Sequence, residues 1–274
     1  MAALAVRGVE LEWSERGEGA PVLLVHETGV DSAAWEPVAG ALATSLEAPG
    51  ERRRGARAIL YDRRGWGGSS APEGYRRTTI EEQSGDAAAL LERLGAGPAV
   101  IAGAGIGAVI ALDLLLRRPA LVAGAMLVEP PLLALVPAAT EQLSADLDSL
   151  AQSADRGRDA LVELYLSGGL GALGAGAERL PPGLTAAARE RPAGLVAELG
   201  ASSAWGMPLT RLGDAERPSL VVTADSTPPL LADAAKALGG RLPGAAAEVV
   251  AASAMPPHLA EPARIAALAR ELSA

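Results

Sequence analysis

The sequence predicts an α/β protein whose mostly parallel central sheet carries helices on both faces and is interrupted by a helical inset. Three observations carry this. Short continuous apolar runs such as Val22–Val25 and Pro98–Ala102 read as strands buried on both faces. They alternate with stretches of helical periodicity, as a parallel sheet with crossover helices requires. The alternation lapses between Pro130 and Gly213, where the chain is punctuated by Pro and Gly and mostly helical, and then resumes. The core is therefore expected over 1–129 and 214–274, and a helical cap over 130–213.

In chain order, Val9–Trp13 alternates apolar and charged residues like an exposed antiparallel strand, and Ser14–Ala20 reads as a turn. Pro21–Val25 is a buried strand. Ser32–Leu46 is a helix, with Trp35, Val38, Leu42 and Leu46 on one face. The run Arg52-Arg53-Arg54 after Pro49-Gly50 reads as a solvated loop. Arg57–Tyr61 is a second buried strand. Thr79–Leu94 is a helix that Thr79 can cap, with Glu82 three residues on as the partner of a capping box. Pro98–Ala102 is a strand, Gly103–Gly107 a glycine-dense turn and Ala108–Arg117 a helix closed before Pro119. Leu121–Val128 is a strand. After the inset come strand Ser219–Thr223, helix Pro229–Leu238, strand Ala246–Ala251 and helix Pro262–Leu272.

Composition narrows the function. Half of the 274 residues are apolar and a fifth charged, the balance of a globular chain. The net charge of −9 disfavours nucleic acid as a partner, because neutralising phosphates needs a basic surface. Without cysteine there is no disulfide, thiolate nucleophile or Cys-ligated zinc, and the two histidines, His26 and His258, are too few for a multi-His metal site. No metal or cofactor is expected. Met1–Val6 is too short for a signal h-region, and the richest apolar stretch, Val100–Leu116, is broken by glycines and carries Asp113, so neither export nor a membrane is expected and the reading is cytoplasmic.

In a parallel sheet ligands bind beyond the carboxyl ends of the strands, so the informative residues follow the apolar runs. They are His26-Glu27-Thr28-Gly29, Asp62 to Ser69, Gly103 to Gly107, Glu129-Pro130, Ala224 to Thr227, and Ser253 to His258. One reading of Gly103, Gly105 and Ala108 is a dinucleotide-binding G-x-G-x-x-A loop, with Glu129 as the ribose-binding acid at the end of the next strand. It leaves the other turns unexplained.

The order of turns as a whole resembles the α/β-hydrolase superfamily, especially its compact members with helical caps. Val22-Leu23-Leu24-Val25-His26 is similar to that family's oxyanion loop, Asp62-Arg63-Arg64-Gly65-Trp66-Gly67-Gly68-Ser69 to its D-x-R-G-x-G-x-S segment, Gly103–Gly107 to its G-x-S-x-G nucleophile elbow, and Pro256–Pro262 to its final loop. The resemblance spans about residues 8–129 and 214–274 and implies the fold more specifically than any activity.

The departures decide what chemistry the resemblance leaves. The nucleophile's place falls on Gly105, which has no side chain. The usual place of the acid falls on Thr227, with Asp225 nearby, and that of the catalytic histidine on Met255 or Ala254, while His258 matches a non-catalytic histidine of the same loop. Acyl-enzyme chemistry, which needs a nucleophile and its base, is then not expected. The N–H of Ile106 and one from the Glu27–Thr28 region could survive as oxyanion donors. His26 is read as support for that loop, with a direct acid–base role as the alternative. Glu27, where the family has Gly, is either a general base or a carboxylate turned to solvent or paired with Arg63 or Arg64. His258 as a base and Asp225 or Glu129 as an acid complete the candidates. Asp62 and Arg63 are expected to tie their loop to the core, and Trp35 and Trp66 to pack. Leu132, Leu133, Leu135, Leu161, Leu164, Tyr165, Leu195, Leu199, Trp205 and Met207 of the inset offer core and pocket surface, for an apolar small molecule as ligand or substrate.

Overall fold

In a computed structural model, which describes residues 1–44, 46–48, 51–53, 55–154, 156–251 and 254–273, the elements run β1 (Ala2–Val6), β2 (Val9–Arg16), β3 (Pro21–Val25), α1 (Glu36–Ala43), β4 (Leu46–Ala48), β5 (Glu51–Arg53), β6 (Arg57–Tyr61), α2 (Ile80–Leu94), β7 (Ala99–Ala104), α3 (Ile106–Arg117), β8 (Val122–Val128), α4 (Thr140–Ala154), α5 (Arg158–Leu166), α6 (Ala186–Glu190), α7 (Pro192–Glu198), β9 (Ser219–Ala224), α8 (Pro229–Gly239), β10 (Ala246–Val250), α9 (Pro257–Ala260) and α10 (Pro262–Glu271). Eight strands form one sheet in the order β1-β2-β6-β3-β7-β8-β9-β10. It is parallel from β6 to β10 and antiparallel at β1–β2 and β2–β6.

Side chains of successive strand residues point to opposite faces, so each apolar run feeds two cores. Val22, Leu24, Ala58, Leu60, Val100 and Ala102 pack with Val38 and Leu42 of α1 and Ile265 and Ala269 of α10. Leu23, Val25, Ile59, Tyr61 and Ile101 pack with Leu90 of α2, Val109 and Leu112 of α3 and Leu238 of α8 on the other face. Burial on both faces is why these strands read as unbroken apolar runs. The apolar stretch Val100–Leu116 belongs to β7 and α3, and α3 is buried on all sides from Ile106 to Leu116. Its Asp113 is satisfied there by Ser84 Oγ, by Arg117 Nε at 2.9 Å and by Trp205 Nε1 at 2.8 Å. Among the described residues no helix is long and apolar enough to cross a membrane.

Differences from the sequence reading have local causes. β1 was not foreseen: it pairs with β2 through a two-residue turn in which Arg7 (φ 44°) and Gly8 (φ 83°) are both left-handed, the geometry of a tight hairpin without its usual Asn-Gly. β2 continues to Arg16, three residues past the expected end, because Trp13 to Arg16 pair with β6. The helix expected from Ser32 starts as a 3-10 turn over Ser32–Trp35, and α1 begins only at Glu36, with Pro37 in its first turn where a missing N–H costs nothing. It stops at Ala43, and β4 and β5 form a short hairpin where a loop was expected; Arg54 of the basic run lies outside the described residues. Thr79 caps α2 by accepting the Glu82 N–H at 3.1 Å, but the Glu82 carboxylate accepts from Thr78 and pairs with Arg64 instead of closing the box.

Between 130 and 213 the described residues contain α4 to α7 and no strand. Leu132, Leu135 and Met207 join the core on the α3 face. Leu133 packs with Leu231 and Ala234 of α8. Tyr165 and Leu195 pack around Trp66.

Candidate functional site

The sheet order fixes where a site can form. The chain leaves β3 for β6 on one side and later enters β7 on the other. The crevice beyond the carboxyl ends of β3 and β7 is therefore the point where the winding reverses, the usual ligand position in such sheets. His26 and Glu27 follow β3, and Gly105 follows β7.

Residue 105 lies on the bend between β7 and α3, with φ 53° and ψ −125°. This left-handed conformation is strained for any residue with a Cβ. The bend is held tight by its flanking glycines: a Cβ on Gly103 would collide with the Gly107 carbonyl, and one on Gly107 with the Val25 carbonyl. Ile106, as the first residue of α3, has an N–H with no acceptor inside the helix, and it lines the cavity beside Gly105.

The loop after β3 is anchored from below and from above. His26 is fully buried; its Nδ1 donates to the Glu27 carbonyl (2.9 Å) and its Nε2 accepts the Arg63 N–H (3.0 Å), which makes it the neutral Nδ1–H tautomer. Burial, reinforced by the Arg63 charge, holds its pKa well below the usual imidazole range, so it stays neutral and both ring nitrogens are spent on structure. Arg63 donates to the carbonyls of His26 (2.9 Å) and Glu27 (3.1 Å), to Gln83 Oε1 (2.6 Å) and to both oxygens of Glu198. Glu198, at the end of α7, also accepts from Trp66 Nε1 (2.8 Å), Gln83 Nε2 (2.9 Å) and Thr28 Oγ1 (2.9 Å). The Tyr165 hydroxyl from α5 donates to the Thr28 carbonyl (2.9 Å). Asp62 accepts the N–H groups of Ser32 (2.9 Å) and Gly68 (2.8 Å) and ties its own loop to the core. Arg64 is engaged by Asp86 and Glu82.

Glu27 thus pairs with neither Arg63 nor Arg64. Its side chain turns to Gly105 and His258. A Cβ built on Gly105 would sit 2.9 Å from Glu27 Cβ, closer than real Cβ atoms approach. Glu27 therefore occupies the space that a side chain at 105 would need. Beyond it, Glu27 Oε1 lies 3.4 Å from His258 Nε2, with the two side chains 12% and 0% exposed. The approach is not aligned as a hydrogen bond, and Glu27 Oε1, His258 Nδ1 and His258 Nε2 are all buried without hydrogen-bond partners. His258, in α9, stacks on Trp35 with ring centroids 4.6 Å apart, which fixes its plane. The structure brings Glu27, Thr28, Gly105 and Ile106 together around one cavity, with His258 behind Glu27.

The other candidates lie elsewhere. Asp225 is exposed, outside the cavity lining. Glu129, with φ 46°, lines the cavity but is held: Arg179 Nη1 reaches both of its oxygens at 2.8 Å, and Thr227 Oγ1 donates to Oε1 at 2.6 Å. Arg179 Nη2 continues to the Met255 carbonyl at 2.9 Å and to Ser226 Oγ at 3.3 Å. The dinucleotide reading needs Glu129 free for a ribose, and here it is spent on an ion pair. Arg179 and Glu198, two inset residues that join the site to the helices above it, were not singled out from sequence. A lone acid in the otherwise uncharged stretch from Pro192 was a signal for Glu198, but its partner Arg63 is 135 positions away.

The cavity encloses about 80 Å³ between these turns and the inset, which contributes Tyr165, Leu173, Leu180 and Leu199 to its wall. Its lining mixes apolar residues with Glu27, Glu129, Thr28, Ser202 and Ser203; Glu198 also belongs to it, with its side chain buried in the pair with Arg63. Among the described residues no group of three or more acidic or histidine side chains is placed to hold a metal ion.

Comparison with known proteins agrees with this architecture. The sequence model of the Alpha/beta hydrolase family matches residues 22–268. An uncharacterized hydrolase YraK of Bacillus subtilis is 37% identical over 119 residues, 42% of this chain and 39% of that protein. A putative non-heme bromoperoxidase BpoC of Mycobacterium tuberculosis is 32% identical over 119 residues, 43% and 41% of the two chains. The matched stretch thus spans about two fifths of these relatives' length. Among solved structures, a thermophilic esterase from Thermogutta terrifontis superposes with a TM-score of 0.72 at 22% identity, covering 98% of this chain and 95% of that one. Est816, described as an N-acyl homoserine lactone degrading enzyme, gives 0.70 at 22% identity over 98% and 99%.

Proposed function

The chain belongs to the alpha/beta hydrolase family, and on that premise we propose that it is a small-molecule-binding member without a serine nucleophile. One observation carries this reading: the elbow residue is Gly105, and Glu27 Cβ fills the volume an attacking side chain would occupy. The two partner turns support it. Thr227, at the usual place of the family's acid, is bonded to Glu129, and Met255, which with Ala254 takes the place expected of the histidine, lends its carbonyl to Arg179. Residues 130–213 serve as the cap, closed over the pocket by the Arg179–Glu129 and Arg63–Glu198 pairs. The solved neighbour Est816, described as an N-acyl homoserine lactone degrading enzyme, fits a small-molecule ligand. The expected result is that fluorophosphonate probes leave the intact mass of the protein unchanged and that p-nitrophenyl esters are not turned over. A stoichiometric phosphonyl adduct would show that a nucleophile is in place and would end this reading.

A second reading is favoured by the contact between Glu27 and His258. A buried carboxylate beside an imidazole can take a proton from water, next to the Ile106 N–H as oxyanion donor. On this reading, any hydrolysis or proton exchange that the protein catalyses is lost in Glu27→Gln while the melting temperature is retained. A rate unchanged by that substitution excludes Glu27 as the base.

A further inference from the structure

Three acidic residues border the cavity, and they are not equivalent. Glu198 is neutralised by Arg63 and receives three further hydrogen bonds, and Glu129 is neutralised by Arg179 and bonded by Thr227. Among the described residues neither arginine nor lysine pairs with Glu27, whose one ion-pair neighbour is His258. Glu27 Oε1 is buried and accepts no hydrogen bond, while the part of the side chain that remains exposed lines the cavity. No lysine or arginine belongs to the lining. A carboxylate kept out of water without a full complement of donors is costly, and a cationic donor entering the cavity would relieve that cost with a charge-assisted bond. Ile106, Leu180, Leu199 and Leu231 supply apolar surface to the lining, beside the polar Thr28, Tyr165, Ser202 and Ser203, and the space is small.

We propose that the pocket binds a small organic cation: a protonated amine whose ammonium donates to the Glu27 carboxylate and whose short aliphatic part lies against Ile106, Leu180 and Leu231. This rests on the reading of the protein as a binder without a serine nucleophile and names the class of its ligand. It reverses the preference that a bare helix start would impose, because the N-terminus of α3 favours anions but Glu27 stands in front of it.

The test is calorimetric titration of the full chain with n-butylammonium, n-butanol and n-butyrate at one ionic strength. The ammonium should bind about tenfold more tightly than the alcohol, and the carboxylate most weakly. Glu27→Gln should lower ammonium affinity to that of the alcohol, whereas Glu92→Gln, an exposed site paired with Arg118, should leave it unchanged. Equal binding of ammonium and alcohol, tighter binding of the carboxylate, or no binding of any of the three overturns the proposal. So does an ammonium preference that persists in Glu27→Gln or falls equally in Glu92→Gln. If Glu27→Gln does not fold, the wild-type ranking of the three ligands decides. Failure here with no fluorophosphonate adduct removes the ligand class alone, whereas an adduct removes the underlying reading.

Discussion

Arg63→Met should lower the unfolding free energy by about 3–5 kcal/mol, the cost of leaving one partner of a buried ion pair uncompensated. The Arg63 and Glu198 side chains are 1% and 0% exposed. Glu198 would keep its bonds from Trp66, Gln83 and Thr28 but lose the one positive charge that pairs with it among the described residues. The carbonyls of His26 and Glu27 would each lose a donor as well. Adding Glu198→Gln to Arg63→Met should return part of the loss, since the stranded charge is then removed. Denaturant unfolding of the two variants against wild type measures both steps. A loss below about 1 kcal/mol would place this pair with exposed ones, against the burial seen here.

Gly105→Ser should fail to create an esterase and should itself destabilise the fold, by about 2–4 kcal/mol. Two costs add. The backbone at 105 is left-handed, which penalises any Cβ, and the new side chain meets Glu27 Cβ at 2.9 Å. No imidazole is bonded at that position either: His26 spends both nitrogens on the loop, and His258 Nε2 faces Glu27. Efficient ester turnover by this single variant would show that a base is already aligned.

Much of the architecture was legible because burial on both sheet faces forces continuous apolar runs, and β3 and β6 fall within the expected bounds. The positions of the turns followed, including Gly105 on the bend, since Gly103 and Gly107 mark a backbone approach that admits no Cβ. What escaped is what depends on distant partners. The hairpin turn at Arg7-Gly8 has no common turn signature, and β1 owes its place to pairing with β2. One reading of Glu27 paired it with Arg63 or Arg64, but Arg63 pairs with Glu198 and Arg64 with Asp86 and Glu82. Glu129 read as an available acid because Arg179, 50 positions on, could not be seen to claim it. The inset residues divided between core and pocket only in three dimensions: Met207 joined the α3 face, and Tyr165 reached the Thr28 carbonyl.

The claim that Glu27 occupies the elbow's vacant side-chain volume is tested most directly by a stability cycle of Gly105→Ala and Glu27→Gly. The left-handed backbone penalises alanine in both backgrounds and cancels, so the cycle isolates the clash between the two side chains. The expected result is that Gly105→Ala costs about 1–3 kcal/mol less when residue 27 is glycine than when it is glutamate. An equal cost in the two backgrounds would mean that the side chains do not compete for that space.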